Sequence, residues 1–407
     1  MPVRKAIHEF KRLSLQAFSN QDSKGPSLFR HSAQFLFSHR YKGEGLNSAL
    51  QAAFGRQPLL FGPNEYSTSE KVKVGVLAAV PGGRRPYLFT NYSRNPTSPD
   101  NDYLVREDDL ADEMRCWEAA RSTAAAPTYF PPYYHEAKRQ PYIDGAVHRN
   151  NPIQILEEER RAIWKDKAPP DILLSIGTGI QIGADGTPKD VARAQKTAMR
   201  LRWKGLRGRL AVGLDVIQST LDCNRQWDEF VSAVEWDRHT HRVCHRLNIG
   251  LKERPPKLDD VDAIDDLRDK ARRYMRPDHA SYLNDRYPSA HKHIVAVAQR
   301  LVAALFYFEA IHINEDERCI GFLHCRLSRS MRSNFRHLLS EGPTFRVCHK
   351  IRGGNWCSSI FRPNFDDRTF SGRIIFQIRS KHRVIEMTLP RWGGSWERIS
   401  GFSGPQS

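Results

Sequence analysis

The spacing of hydrophobic residues changes several times along the chain, and each change marks a predicted element. Apolar side chains fall on one face of residues 5–18, which predicts an amphipathic first helix. Residues 71–80 and 86–92 are two β-rich runs separated by a turn that contains Pro81, Gly82 and Gly83. This first stretch is therefore predicted to be a helix followed by a β-hairpin.

The middle of the chain is predicted to hold two helices with a short strand between them. One stripe of residues at helical spacing predicts a helix that ends before Pro127: Leu110, Met114, Trp117 and Arg121. Residues 142–143 are a short predicted strand that leads into Asp144. The next helix is predicted to begin with Asn151 as its cap and Pro152 in its first position.

A continuous apolar run at residues 171–176 is typical of a central parallel strand, and it predicts a sheet buried on both faces. Helices are expected next at residues 190–235, 260–276 and 289–309. Beyond residue 310 the pattern favours alternating strands, as at residues 373–379 and 384–389. We therefore predict an α/β unit over 1–185, a helical extension over 186–310 and a β-rich module of unknown role over 311–407.

Composition and charge limit the classes of partner. A chain of 407 residues with 40% hydrophobic and 27% charged residues is expected to fold around more than one core. Its net charge of +17 favours anionic partners, which could be phospholipid surfaces, nucleic acid or counterions. Lys and Arg are dense over residues 196–209, where solvated surface ranks first, lipid contact second and nucleic acid third. No recognition module accompanies the charge, so no nucleic-acid partner is expected.

The chain shows no sign of secretion or of membrane insertion. The seven cysteines are odd in number and irregularly spaced, which predicts reduced thiols. The basic N-terminal stretch lacks the apolar segment of a signal peptide, and the apolar run at 294–308 is interrupted by Gln299 and Arg300. We expect a cytoplasmic protein, with peripheral membrane contact as an option.

Two groups of His and Cys side chains are candidate metal sites, and one group of glycines is a candidate cofactor site. The densest group of possible ligands is His239, His241, Cys244 and His245, with a looser distal set from Cys319 to Cys357. Neither has the paired spacing of a structural zinc site. The glycines at 177, 179 and 183 miss the spacing of a dinucleotide-binding loop. No metal and no cofactor are therefore expected.

Several strings share an order and spacing that together point to one family. They are WEAARSTAAAPTYFPP at 117–132, YIDGA at 142–146, NNP at 150–152 and LSIGTG at 174–179. In combination they resemble the second half of the patatin-like phospholipase domain. The resemblance implies a sheet flanked by helices, here truncated, and a family that hydrolyses acyl esters of glycerolipids or phospholipids without metal or cofactor.

The resemblance also implies roles for individual residues. In that family a serine in a Gly-x-Ser-x-Gly elbow attacks the ester, and an aspartate in an Asp-Gly-Gly or Asp-Gly-Ala motif is its base. Asp144 matches that aspartate, and Gly145 and Ala146 complete the motif's turn. A positioned base is needed because a serine hydroxyl alone is a poor nucleophile. Gly82 and Gly83 superficially resemble the family's oxyanion loop, but their place between two strands favours a plain hairpin turn.

The nucleophile of the family is missing from this chain. No Gly-x-Ser-x-Gly occurs among its 407 residues, so little or no hydrolase activity is expected of it. A truncated gene model, a degenerate copy and a partner-dependent fragment stay open, the last because a protein partner could cover the truncated sheet. The alternative function is a non-catalytic lipid-surface or protein-interaction module.

Overall fold

The structure is a computed structural model, and it describes a large part of the chain. The described residues are 3–19, 39–60, 72–92, 102–105, 113–164, 170–182, 223–233, 244–253, 255–276, 290–327, 344–351, 354–361, 371–377, 385–390 and 396–399. The basic run at 196–209 lies outside them, as do His239 and His241. The predicted helix at 190–235 is described only from residue 223 to 233.

Helices and strands alternate over the described residues, which confirms the predicted α/β class. The helices are α1 (Val3–Ala17), α2 (Gly43–Phe54), α3 (Cys116–Thr123), α4 (Ile153–Ile163), α5 (Cys223–Ala233), α6 (Ala263–Tyr274) and α7 (Ala290–Ala304). The first nine strands are β1 (Gly75–Ala79), β2 (Tyr87–Thr90), β3 (Leu104–Val105), β4 (Tyr133–His135), β5 (Gln140–Asp144), β6 (Leu173–Ile176), β7 (Ile180–Gln181), β8 (Cys244–Leu247) and β9 (Gly250–Leu251). The last seven are β10 (Phe306–Ile313), β11 (Arg318–Cys325), β12 (Phe345–Ile351), β13 (Gly354–Phe361), β14 (Ser371–Gln377), β15 (Ile385–Pro390) and β16 (Trp396–Arg398).

A five-stranded mixed sheet in the order β3-β2-β1-β5-β4 organises the first part of the chain. β1 and β2 pair antiparallel, which confirms the predicted hairpin. Its turn closes with the Gly83 amide donating to the Val80 carbonyl at 2.8 Å, and Gly82 takes a φ of 77° that favours glycine. Gly82 and Gly83 therefore form the hairpin turn that the sequence favoured.

Helices cover the faces of this sheet. α3 packs against β1 and β5 and shares a buried cluster with them. α1 and α2 pack on each other and enclose a second cluster that includes Tyr41, Leu50 and Phe130. The first helix is thus confirmed, whereas α3 begins at Cys116, so Met114 precedes the helix that was expected to contain it.

Glu118 on α3 is a buried carboxylate whose hydrogen bonds are numerous. Its Oε1 accepts from the Tyr133 hydroxyl at 2.9 Å and from Arg115 Nη1 at 3.1 Å, and its Oε2 accepts from the Arg115 amide at 2.8 Å. His135 Nε2 lies 3.7 Å from Oε2. Burial alone would raise the pKa of Glu118, but these contacts lower it to about 2.

The start of α4 differs from the prediction. The helix begins at Ile153 with Pro152 at the capping position, where no side chain caps it. The Asn151 side chain instead donates to the Cys223 carbonyl at 3.2 Å and accepts from the Ser175 hydroxyl at 3.1 Å. A long-range contact to α5 and β6 has therefore replaced the local cap.

β6 is a parallel strand, but it is not buried on both faces along its whole length. It pairs with β8 from Leu173 opposite Cys244 to Ile176 opposite Leu247, and within the described residues β8 is its only partner strand. The Ile176 side chain is 72% exposed. Leu173 and Ser175 are buried and Leu174 is half-buried, so within the described residues the burial expected on both faces fails only at the last residue of the strand.

The C-terminal strands form two antiparallel sheets, β10-β11-β14 and β13-β12-β15-β16, around a shared apolar cluster. The predicted strands at 373–379 and 384–389 are confirmed as β14 and β15. The helix expected over 289–309 ends at Ala304, since Phe306 and Phe308 alternate with Tyr307 in β10 and are buried against the sheet core. Arg300 on α7 contacts both Asp171, just before β6, and the carbonyl of Arg398 in β16.

The cysteines depart in part from the prediction of reduced thiols. Cys348 on β12 is disulfide-bonded, and the strand register places Cys357 opposite it. Five others are free thiols: Cys116, Cys223, Cys244, Cys319 and Cys325. None of the helices that the structure describes combines the length and apolar character needed to span a bilayer.

Candidate active site

Asp144 is the last residue of β5, where backbone contacts on both sides fix its position. Its amide donates to the Ala125 carbonyl at 3.1 Å, and β5 pairs it with Ala78 of β1. The chain then enters a single 3-10 turn at Gly145–Val147. The three residues of the predicted motif, Asp144, Gly145 and Ala146, are thus one strand end and the turn that follows it.

The Asp144 carboxylate has one hydrogen bond in this turn. Its Oδ1 accepts from the Ala146 amide at 2.8 Å. Burial raises the pKa of Asp144, and the Ala146 hydrogen bond opposes that rise only in part. A carboxyl group in this environment binds a proton more readily than one in water.

Gly145 is required by a close approach of two backbone segments. A Cβ built on Gly145 would lie 2.4 Å from the Leu77 carbonyl oxygen and 2.6 Å from its carbonyl carbon. Atoms of a rigid strand cannot move away from such a contact as a flexible side chain could. Glycine therefore lets the turn after Asp144 lie directly against β1.

Asp144 lines a cavity of about 690 Å³ that we call the large cavity. Most of its wall is apolar, and it comes from β1, β2, β6, α4 and the residue after α4: Val76, Leu77, Leu88, Ile155, Leu156, Ile163, Trp164, Leu173 and Leu174. The volume lies within the usual range of small-molecule sites. The cavity thus separates the five-stranded sheet from β6.

The carboxylates that α4 contributes to the large cavity are already engaged. The two oxygens of Glu159 accept from the hydroxyls of Tyr92 at 2.9 Å and Tyr103 at 2.6 Å. Glu157 accepts from Arg160 at 2.7 and 2.8 Å. Sequence reasoning missed these lining residues, because no local motif signals them.

A smaller cavity of about 200 Å³, which we call the small cavity, adjoins the large one. The two share four lining residues: Asn150, Pro152, Leu156 and Leu174. Ser175, Thr178 and Arg246 give the small cavity a polar wall. Gly177 and Thr178, which belong to the string LSIGTG at 174–179, also line this cavity.

The side chains weighed for metal binding are dispersed. Cys244 and His245 are consecutive residues of β8, and Cys319 and Cys325 lie on β11. Within the described ranges, no three His, Cys, Asp or Glu side chains meet in a group that could hold a metal ion.

The comparison with known families concerns the part of the chain that carries this site. Residues 1–157 match the model of the family described as Patatin: Patatin-like phospholipase. Residues 1–157 belong to the patatin-like phospholipase family. The patatin-like region, as we call residues 1–157, contains Asp144 and the five-stranded sheet, while β6 and the small cavity's Arg246 lie beyond it.

Curated relatives of the chain include calcium-independent phospholipases A2. Calcium-independent phospholipase A2-gamma is 26% identical in Rattus norvegicus and 25% identical in Homo sapiens, in each case over 182 residues, 44% of this chain and 21% of the relative. The 85/88 kDa calcium-independent phospholipase A2 of Rattus norvegicus is 31% identical over 176 residues, 39% of this chain and 20% of the relative. The chain thus spans about a fifth of the length of these relatives.

Proposed function

We propose that this chain supplies the general base and the lipid-binding cavity of a patatin-like acyl ester hydrolase of the Ser-Asp dyad type, with Asp144 as the base. The observation that carries the proposal is the position of Asp144, a half-buried carboxyl at the wall of a largely apolar cavity of about 690 Å³. The names of the curated relatives, which are phospholipases, support a glycerolipid or phospholipid substrate.

The environment of Asp144 suits proton transfer from a serine hydroxyl. A general base works best when its pKa approaches the working pH, and burial shifts the pKa of Asp144 in that direction. The Ala146 amide occupies Oδ1, so Oδ2 is the oxygen that would receive the proton. Acyl chains would lie against the aliphatic side chains of β1, β2 and β6.

The nucleophile would come from a segment that this sequence does not contain. No Gly-x-Ser-x-Gly occurs in the 407 residues, so we infer that the chain by itself hydrolyses little or no ester. The large cavity lies between the five-stranded sheet and β6, and this is the place where an added strand would meet both Asp144 and the lipid.

The decisive experiment restores the missing segment. The glycine-rich loop and serine elbow of calcium-independent phospholipase A2-gamma would be fused before Met1, and hydrolysis of a short-chain phospholipid would be measured. We expect activity in the fusion, none in the original chain, and a loss of about 100-fold or more on Asp144→Asn. Asp185→Asn, in the chain's other Asp-Gly pair, is the matched control. A folded but inactive fusion, or one indifferent to Asp144→Asn, would contradict the proposal.

We also infer that the protein works at a lipid surface. Ile7 and Phe10 on α1 are exposed, and the exposed Arg4 and Lys5 flank them, a combination suited to an anionic bilayer. Sedimentation with liposomes should rise with anionic lipid, fall with salt and weaken in a Phe10→Ser variant. Binding that ignores all three changes would refute the inference.

The division into an α/β unit over 1–185, a helical extension over 186–310 and a β-rich module over 311–407 is likewise proposed. Its support is the apolar cluster of the C-terminal sheets, whose members, from Phe306 to Ile399, are distinct from those of the five-stranded sheet. β10 (Phe306–Ile313) crosses residue 311, so a separate module would have to start a few residues earlier, between α7 and β10. Limited proteolysis that released a stable fragment starting there would support a separate module, and cleavage inside β10 or β11 would oppose it.

A further inference from the structure

We infer that the small cavity is a subsite for a phosphate group, so that the site accepts a phospholipid in preference to a neutral glyceride. The inference rests on the proposed function and adds the substrate's polar end to it. Three observations carry it: the junction of the two cavities, the position of Arg246, and the ends of two parallel strands at this wall.

The two cavities have complementary character and a common boundary. The large cavity has an aliphatic wall with the Asp144 carboxyl in it, and the small cavity has polar side chains. Asn150, Pro152, Leu156 and Leu174 belong to both. A phospholipid has the same division, since apolar chains and a charged phosphate are joined through the ester that the base would help to cleave.

Arg246 is held in place at the wall of the small cavity. Its Nη1 donates to the Ser175 hydroxyl at 2.6 Å, and its Nη2 lies 3.4 Å from Asn224 Oδ1. The Ser175 hydroxyl donates in turn to Asn151 Oδ1 at 3.1 Å. A guanidinium held this way is a preorganised donor, and arginine is the side chain best suited to phosphate oxygens.

Asn224 supports Arg246 without lining the small cavity. Its Oδ1, which lies 3.4 Å from Arg246 Nη2, also accepts from Asn248 Nδ2 at 3.2 Å. These two contacts help to fix the position of the guanidinium.

The backbone around the small cavity brings two strand ends together. Gly177 and Thr178 follow the carboxyl end of β6, and Arg246 lies near the same end of its parallel partner β8. The edge at which parallel strands end is a common place for ligands.

The test compares short-chain lipids that differ only in phosphate. Dihexanoyl phosphatidic acid and dihexanoylglycerol would be titrated into the full chain below their aggregation concentrations, with calorimetric detection. We expect the phosphatidic acid to bind at least about 10-fold more tightly, which is about 1.4 kcal/mol. Arg246→Gln should abolish that difference without weakening dihexanoylglycerol binding, and Arg268→Gln, on the exposed helix α6, is the matched control.

The outcomes separate this inference from the proposed function. If both lipids bind equally well, the phosphate subsite is wrong and the lipid cavity stands. If neither lipid binds but inorganic phosphate does, and Arg246→Gln abolishes that binding, the site takes free phosphate and the lipid function fails. If Arg246→Gln unfolds, the comparison of the two lipids on the unaltered chain still decides, with Thr178→Val as a second variant of the same wall.

Discussion

Two carboxylates, the buried Glu118 on α3 and the half-buried Asp144 at the end of β5, differ in how the fold surrounds them. Glu118 receives hydrogen bonds from the Arg115 backbone and side chain and from Tyr133, and its pKa falls to about 2. Asp144 receives one from Ala146, and burial raises its pKa. The fold stabilises the charge of the first carboxylate and penalises that of the second.

This difference is consistent with the role as general base that we propose for Asp144. Glu118 joins α3 to β4 through Tyr133 and His135 and has little capacity left for a ligand. Asp144 is costly to ionise and faces a cavity, which is the arrangement expected of a group retained for chemistry. Changes at Glu118, at Asp144 or in the turn beside Asp144 test this difference.

The largest effect is expected from Glu118→Ala. Removing the carboxylate leaves the part-buried Tyr133 hydroxyl and Arg115 amide without their acceptor, so the free energy of unfolding should fall by about 3–5 kcal/mol. Urea denaturation measures it. Glu118→Gln keeps the shape and should lose less, and equal losses would show that the negative charge alone accounts for the effect.

The second-largest effect is expected when acid protonates Glu118 and lowers the free energy of unfolding. A carboxyl whose folded pKa is about 2, against 4.5 when unfolded, contributes stability that is present above pH 4.5 and is lost as the pH falls towards 2. The loss should amount to about 3 kcal/mol. Denaturation curves at several pH values should show this slope in the parent chain and a flatter one in Glu118→Gln.

Gly145→Ala should lower the free energy of unfolding by about 2 kcal/mol, because the new methyl group would meet the Leu77 carbonyl. Gly82→Ala is the control. That position has open space around it, and its positive φ alone should cost about 1 kcal/mol. Equal losses at the two glycines would refute the close approach of the Asp144 turn to β1.

The smallest effect should have the opposite sign. Asp144→Asn is expected to raise the free energy of unfolding at pH 8 by on the order of 1 kcal/mol, because it removes a charge that burial disfavours. A raised folded pKa means that stability falls as pH rises from the unfolded value through the folded one. The two proteins should therefore converge near pH 3. If Asp144→Asn were less stable than the parent at pH 8, the fold would stabilise the charge of Asp144 as it does that of Glu118, and the difference between the two carboxylates would be refuted.

Sequence patterns predicted those elements of the fold that are determined by residues close together in the chain. The helix at Val3–Ala17, the β1–β2 hairpin and the strand that ends at Asp144 follow from apolar spacing and from turn residues close in the chain. The pairing of β6 with β8 joins segments about 70 residues apart, and no local pattern carries it. Arg246 was missed for this reason.

Two local errors have the same cause. Asn151 is a good capping residue by type, yet its side chain contacts Cys223 and Ser175, which only the folded chain brings to it. Phe306 and Phe308 extended an apolar run that fits a helix as well as a strand. Their alternation became decisive only through pairing with β11. Contacts between segments distant in the sequence therefore determine the walls of the two cavities, the position of the Asn151 side chain and the strand at Phe306 and Phe308.

Arg300 links the C-terminal sheets to the wall of both cavities. Its guanidinium contacts Asp171, just ahead of the strand that forms one wall of both cavities, and the backbone of β16. A displacement of β16 would thus be transmitted to the first residues of β6. Amide exchange at Leu173–Ile176 should quicken when Arg300 is replaced by Leu, and the C-terminal sheets would then act as a brace that sets the width of the large cavity.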